Sequence, residues 1–587
     1  MSFDQIFVLA VLFGALVLFA TEVIPLGVTG LCVVAVLGLG GILEPETALA
    51  ALSSPTLVIV GSLYIVSAAL VRTGVVGRVG ERLLELGGSS ETRLLFFAMI
   101  GSLLLSTLLN NTAVVVLMLP ILLGAARKLE IPPSRLLMPV SFAAILGGTM
   151  TLIGTSTNVL VADLAAKEAS WLEPIGFFEF LPVGAGYAIL GMLYLGTIGR
   201  RLLPSRPTVS SITKGLTFEY VTELRVPSDS PAANMTRDTL LRRAGDGVRL
   251  LQHIRGEEIL PPGSKIEAGD CIVLRGPAGA VVMLRRDLRL EAPTGEEVGG
   301  RGTTFAELVI TPGSELLGRT LEHLGLKRKF GVIALAIQRL GAHLRSGIAN
   351  LPLRLGDVVL VQGTPREVER LRGQRGFLLL TGVEEHVVRR RHAPVALGIL
   401  ITFVVMAALS GLYLPLLALA AAVATMVTGC ISLRRAMSGV DWSTLGLLAG
   451  SICLGRALHT THLATEVAAV VVSITHRFGD VAVLSAVYFL TMVITEFVSN
   501  VGAAALMLPI SLSAAATLGV NERAFIFAVA FGASASFSTP IGYQTNAFIF
   551  GPGGYRFRDF ARVGLPLQLL LWIYATIALP IAFPLRS

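Results

Sequence analysis

Asn110-Asn111-Thr112-Ala113-Val114-Val115-Val116-Leu117-Met118-Leu119-Pro120-Ile121 is matched 389 residues later. The partner reads Ser499-Asn500-Val501-Gly502-Ala503-Ala504-Ala505-Leu506-Met507-Leu508-Pro509-Ile510. Each stretch sets a polar cluster before an apolar run ending on Leu-Pro-Ile. A second pair keeps nearly the same spacing: Gly154-Thr155-Ser156-Thr157-Asn158 and Gly542-Tyr543-Gln544-Thr545-Asn546 lie 388 residues apart. Two landmarks held in register over about 45 residues mark an internal repeat. Both clusters interrupt hydrophobic segments. In hydrocarbon an unpaired backbone amide costs several kcal/mol, so a helix breaks only where protein or a water-filled cavity supplies partners.

The surrounding composition shows what the repeat is embedded in. Only 15% of the 587 residues are charged, against about 25% in an average soluble domain, and mean hydropathy is +0.75. The deficit falls in two blocks, 1–203 and 390–587, around a charged insert at 204–389. In the first block apolar runs lie at 5–23, 27–43, 55–73, 92–126 (broken at 110–112), 134–165 (broken at 151–158) and 177–199. In the second they lie at 394–410, 412–431, 443–460, 480–516 (broken at 499–501), 522–550 (broken at 538–546) and 562–584. A full span needs about 20 apolar residues. The arms of 92–126 and 480–516 are shorter, which predicts re-entrant hairpins. Each block then has five crossings and one hairpin, and the odd number inverts the second block relative to the first. The expected fold is an α-helical polytopic membrane protein of two inverted repeats with an α+β insert.

Loop charge predicts orientation. Arg200 and Arg201 close the first block, and Arg389, Arg390 and Arg391 precede the second. Cytoplasmic loops collect Lys and Arg, which places 204–389 in the cytoplasm and both termini outside. The acidic loop with Glu168, Glu173 and Glu179 falls outside, as it should. The net charge of +8 is accounted for by these loops, and no basic stripe suggests nucleic acid. Cys32, Cys271, Cys430 and Cys453 are widely spaced, without a zinc or disulfide pattern. The first run has no charged leader or cleavage site, so it is expected to stay as a helix.

Inverted repeats with helix breaks at corresponding places point to an alternating-access transporter. Asn111 and Asn500 each bring an amide donor and acceptor. Thr112, Ser156, Thr157, Ser499 and Thr545 bring hydroxyls. Carbonyls freed at the breaks suit a hard cation such as sodium, and helix N-termini suit an anion. Neither tip has Lys or Arg nearby in sequence. Glu496, three residues before Ser499, is a candidate modulator, as a proton carrier or a buried hydrogen-bonding partner. Its equivalent in the first repeat is Thr107.

These motifs resemble the divalent-anion:sodium symporter (sodium/sulfate/dicarboxylate) family of the ion-transporter superfamily, across both membrane blocks. Members carry Ser-Asn-Thr at each hairpin tip; Asn110 and Val501 depart from that pattern here. The resemblance implies a first sodium site from Asn110, Asn111 and the loop Gly154, Thr155, Thr157 and Asn158. It implies a second from Ser499, Asn500, Thr539, Gly542, Thr545 and Asn546. The substrate would touch Asn111, Thr112, Asn500 and Val501, with Ser156 and Gln544 beside them. The loops lack the proline-containing form expected of dicarboxylate carriers. Sodium-coupled import of a small divalent anion, sulfate first, is therefore the expected activity. A dicarboxylate or taurine carrier and a proton-coupled or arsenite-type exchanger remain open. No enzymatic activity or organic cofactor is expected.

The insert repeats too. Glu223-Leu224-Arg225-Val226 pairs with Glu307-Leu308-Val309-Ile310, and Ala268-Gly269-Asp270-Cys271-Ile272-Val273-Leu274 with Leu355-Gly356-Asp357-Val358-Val359-Leu360-Val361. Short strands around Gly-Asp turns fit two domains, 204–300 and 301–389. They resemble the C-terminal lobe of potassium-uptake regulators (TrkA-C). The resemblance implies a homodimer and a small regulatory ligand. The expected setting is the inner (plasma) membrane, in contact with lipid.

Overall fold

In the computed structural model the described residues are 2–205 except Glu22, Ser89, Glu130 and Ser170, and 392–586 except Ser410. Between them lie 219–244, 248–277 except Glu257 and Pro262, 284, 287–290, 304–310, 316–320, 326–339, 342–344, 351–354, 357–371 and 377–380. Leu355-Gly356 and the run Arg389-Arg390-Arg391 fall outside the described residues. The chain divides into two units, Met1–Ser205 with Gly382–Ser587, and Arg206–Thr381.

The apolar runs wind into helices, which satisfy their backbone amides internally. The first block reads α1 Phe3–Thr21, α2 Leu26–Leu39, α3 Pro45–Ala50, α4 Pro55–Arg72, α5 Val75–Gly87, α6 Glu91–Ser106 and α7 Asn111–Leu129. It ends with α8 Leu137–Gly148, α9 Ser156–Glu168 and α10 Leu181–Tyr194, which a π-turn continues to Leu202.

The insert carries two antiparallel sheets. Its elements are β1 Glu219–Arg225, α11 Arg237–Ala244, β2 Arg249–Arg255, β3 Glu258–Ile259 and β4 Cys271–Pro277. Then come β5 Thr304–Ile310, α12 Leu326–Phe330, β6 Ile333–Arg339, β7 Ala342–Leu344, β8 Val358–Gly363, α13 Pro365–Leu371 and β9 Phe377–Leu380. Strand orders are β1-β4-β2-β3 and β7-β6-β8-β5-β9. The β2–β4 and β6–β8 pairings shift register at Leu250/Gln252 and Ala334/Ala336, equivalent places in the two copies. Each Gly-Asp turn closes alike: Asp270 accepts the Glu267 N–H at 2.8 Å and Asp357 that of Arg354 at 2.7 Å.

The second block reads α14 Ala393–Leu409, α15 Leu414–Val427, α16 Leu433–Gly439, α17 Trp442–Thr460, α18 Leu463–Thr475, α19 Asp480–Ile494 and α20 Asn500–Leu518. It closes with α21 Glu522–Ser534, α22 Gln544–Phe550 and α23 Phe557–Ala582. Helices α7 and α20 have 19 residues each. That is close to a span, so arm length is a weaker mark of a hairpin than the sequence suggested. Sequence reading left α5 and α18 as loops. They occupy matching places before the two hairpins, and α18 turns 75° away from α17 at His462, whose backbone is left-handed.

Burial sorts the helices. Every residue of α8 is buried, as are eleven of the thirteen in α21 and fifteen in α20. Ile573, Ile577 and Ile581 form an exposed apolar stripe on α23, the face expected to meet lipid. Helices α2 and α17 meet backbone to backbone: a Cβ on Gly30 would sit 2.2 Å from the Gly446 carbonyl oxygen. Glycines spaced for that approach allow close helix packing.

Candidate functional site

Each hairpin tip is a helix start. At the first, the Asn110 side-chain oxygen accepts the Thr112 N–H at 2.9 Å. At the second, the Ser499 hydroxyl accepts the Gly502 N–H at 3.2 Å. Asn and Ser lead at this position because a short side-chain acceptor satisfies an amide that the helix leaves unpaired. One residue further in, Asn111 lies 2.5 Å from the Ser106 hydroxyl, and Asn500 2.8 Å from that of Thr495.

The following breaks are closed by matched bonds. The Thr151 hydroxyl donates to the Thr107 carbonyl at 2.5 Å and accepts the Gly154 N–H at 3.1 Å. The Thr539 hydroxyl donates to the Glu496 carbonyl at 3.1 Å and accepts the Gly542 N–H at 3.0 Å. The Asn158 amide donates to the carbonyls of Thr151 at 2.9 Å and Gly148 at 3.4 Å. That of Asn546 donates to Thr539 at 3.2 Å and Ser536 at 3.1 Å. These are the partners that a broken helix needs away from water. They leave α7, α9 and α20 starting at the breaks, with the positive ends of their dipoles there.

The half-sites meet around Tyr543. The Tyr543 hydroxyl lies 2.5 Å from the Asn111 amide and 3.3 Å from the Thr155 hydroxyl, and the side chain neighbours that of Asn500. Thr112 donates to Gln544 Oε1 at 3.2 Å, and Ser141 to Asn546 Oδ1 at 3.0 Å. The Asn111 amide orientation follows from its neighbours. With its nitrogen toward the Ala144 and Gly154 carbonyls, each at 3.2 Å, its oxygen accepts the Tyr543 O–H. Gly148 makes room for it, since a Cβ there would lie 2.3 Å from the Asn111 side-chain amide.

The structure thus brings together Asn110, Asn111, Thr112, Gly154, Thr155, Asn158, Ser499, Asn500, Thr539, Gly542, Gln544 and Asn546 through these bonds. Ser156 opens α9, and Thr157 donates its N–H to Thr155 at 3.4 Å. Val501 is buried on α20. The buried hydroxyls of Thr545 and Ser536 have no hydrogen-bond partner, which leaves their lone pairs available to a cation. Glu496 turns away from its tip. Its Oε1 accepts the Ser538 N–H at 3.0 Å and the Gln568 amide at 2.5 Å, and its buried Oε2 has no hydrogen-bond partner. Gln568 is fixed in turn by Ser538 and the Ala535 carbonyl. Sequence reasoning did not single out Tyr543. The available signal was its place in the repeat, opposite Thr155 in an otherwise similar loop.

The citrate transporter family matches residues 16–532. The chain belongs to that family. It is similar to an uncharacterized transporter of Synechocystis, 32% identical over 98% of this chain and 95% of the relative. It is also similar to the uncharacterized transporter YfbS of Escherichia coli, 29% identical over 100% of both. A third relative, sodium/sulfate cotransporter 2 of Chlamydomonas reinhardtii, is 27% identical over 62% of this chain and 44% of its own length. The chain is therefore a multi-pass membrane transporter and not an enzyme. The matching family carries a citrate description, where the motifs had pointed to divalent-anion:sodium symporters.

Proposed function

We propose that this transporter imports a small divalent anion, sulfate first, coupled to sodium, by alternating access between two inverted repeats. The observation that carries the reading is the duplicated network at the two breaks, joined at Tyr543. Neutral donors and helix N-termini converge there, and none of the site bonds described involves Lys or Arg. Such a site suits an anion that enters with cations. In this reading the oxygens around Asn110, Asn111, Gly154, Thr155, Thr157 and Asn158 hold one sodium. Those around Ser499, Asn500, Thr539, Gly542, Thr545 and Asn546 hold the other, and the anion rests on Asn111, Thr112, Asn500 and Val501, beside Ser156 and Gln544.

Contacts at the hairpin bases support the inversion. The base of the first hairpin meets residues after α22: the Tyr555 hydroxyl donates to the Ser134 carbonyl at 2.7 Å. The base of the second meets residues after α9, where Arg523 pairs with Glu179. A cytoplasmic insert that dimerises or binds a small ligand, in an inner-membrane carrier with both ends outside, completes the proposal.

Labelled sulfate uptake into proteoliposomes, with and without an inward sodium gradient, tests it. Uptake that ignores sodium sinks the coupling. Competition by succinate, taurine or citrate that exceeds competition by thiosulfate moves the substrate to an organic acid. The citrate description of the family favours that second reading.

A further inference from the structure

We infer that Tyr543 determines the specificity of the transport site: its hydroxyl donates to the bound oxyanion, and its ring limits that anion to a small one. The inference rests on the anion-transport reading above and adds a selection rule to it.

The argument begins with position. Tyr543 stands in the second break where the first carries Thr155, and the two side chains meet, hydroxyl to hydroxyl, at 3.3 Å. The longer side chain crosses between the half-sites. Its hydroxyl reaches Asn111 of one tip, and its side chain neighbours Asn500 of the other. An anion held by both asparagines must share their polar atoms with this phenol. The hydroxyl has one proton to give, and in this structure it goes to the Asn111 oxygen. A bound oxyanion offers that proton a charged acceptor, and bonds to charged acceptors are the stronger. Asn111 then keeps its place through Ser106 and the Ala144 and Gly154 carbonyls.

The ring does the rest. The bonds of its hydroxyl to Asn111 and Thr155 of the other half hold the ring between the two breaks. Thr112 to Gln544 closes the adjacent side at 3.2 Å. A branched tricarboxylate needs the volume that the ring fills, whereas a tetrahedral dianion needs only the polar edge. A site built to hydrogen-bond its substrate also discriminates more sharply than an apolar pocket does.

The test uses the full chain in proteoliposomes with an inward sodium gradient, labelled sulfate, and thiosulfate, succinate and citrate as competitors. Tyr543→Phe removes one oxygen and is expected to raise the sulfate KM about tenfold or more. Tyr543→Thr installs the side chain of the equivalent position and is expected to let citrate compete where it does not in the wild type. A merely structural strut would lower flux without changing the order of competitors. If both variants keep the wild-type KM within twofold and still exclude citrate, the inference fails while the transport reading stands. A wild type that accepts citrate as readily as sulfate overturns the size limit. A wild type that moves none of these anions overturns the transport reading and the inference with it. If Tyr543→Thr does not fold, the KM of Tyr543→Phe decides alone.

Discussion

Thr539 does at the second break what Thr151 does at the first, and the Asn546 amide repeats both donations of the Asn158 amide. The side chains inside those frames differ. The first half-site carries Thr107, Thr112, Gly148 and Thr155; the second carries Glu496, Val501, Ser536 and Tyr543 at the equivalent positions. Backbone closure tolerates little variation, because every amide freed at a break needs its partner. The other side chains are free of that constraint. The insert repeats its turn closure in the same way, and there Asp270 also takes His253 at 2.7 Å and Arg255 at 2.8 Å.

The largest expected effect breaks the contrast at the tips. Asn111 gathers Ser106, Tyr543, Ala144 and Gly154, whereas Asn500 takes a bond from Thr495 and neighbours Tyr543. Asn111→Ala should cut sodium-driven uptake about a hundredfold, and Asn500→Ala less, since each buried group left unpaired costs about 1–3 kcal/mol. Equal losses in the uptake assay would make the tips equivalent after all.

A smaller effect is expected where one half has a side chain and the other none. Gly148→Ser places a Cβ against the Asn111 amide and should lower uptake about tenfold, by displacing an anchor at the tip. The reciprocal Ser536→Gly removes a hydroxyl available to a cation but displaces no anchor, and should lower uptake less, about threefold. A tolerated Gly148→Ser would show that the Asn111 orientation is not needed.

Glu496→Gln keeps an acceptor for Ser538 and Gln568, so uptake should stay within about threefold of wild type and keep its pH profile. Loss of the pH dependence, with flux retained, would make Glu496 a proton carrier.

The smallest effect on flux is expected from the insert. Burial pushes the Asp270 carboxyl up, but bonds from Arg255, the Glu267 N–H and His253 outweigh it and hold it at about 2. The folded value lies below the unfolded one of about 3.9, so its stabilisation is present above about pH 4 and is lost as pH falls toward 2. Asp270→Asn should leave uptake unchanged and flatten that acid loss, read by hydrogen exchange of the 219–277 strands. An unchanged acid transition would remove Asp270 from the account.

Much of this was legible in residues. The offset of 389 from Asn111 to Asn500 located both tips, and the Gly-Thr-Ser-Thr-Asn loop located the first break. Polar residues inside apolar runs stand out because hydrocarbon tolerates them only with partners. Helices α5 and α18 were not legible. Hydropathy counts the length of apolar runs, and short helices lying between longer runs give no such signal. The roles within the tips were not legible either. Asn110 and Ser499 have the composition of cation ligands, yet their side-chain oxygens cap α7 and α20. Whether Glu496 faces its tip or Gln568, 72 residues later, depends on a helix that the local sequence does not mention.

By itself the sequence determined that the chain is a duplicated, broken-helix membrane protein with a strand-rich insert, because periodicity, charge and repeat offset are local and additive. Only the tertiary structure decided that Tyr543 of one half meets Asn111 of the other. That contact joins residues 432 apart, and no local energy term links them until the helices have packed.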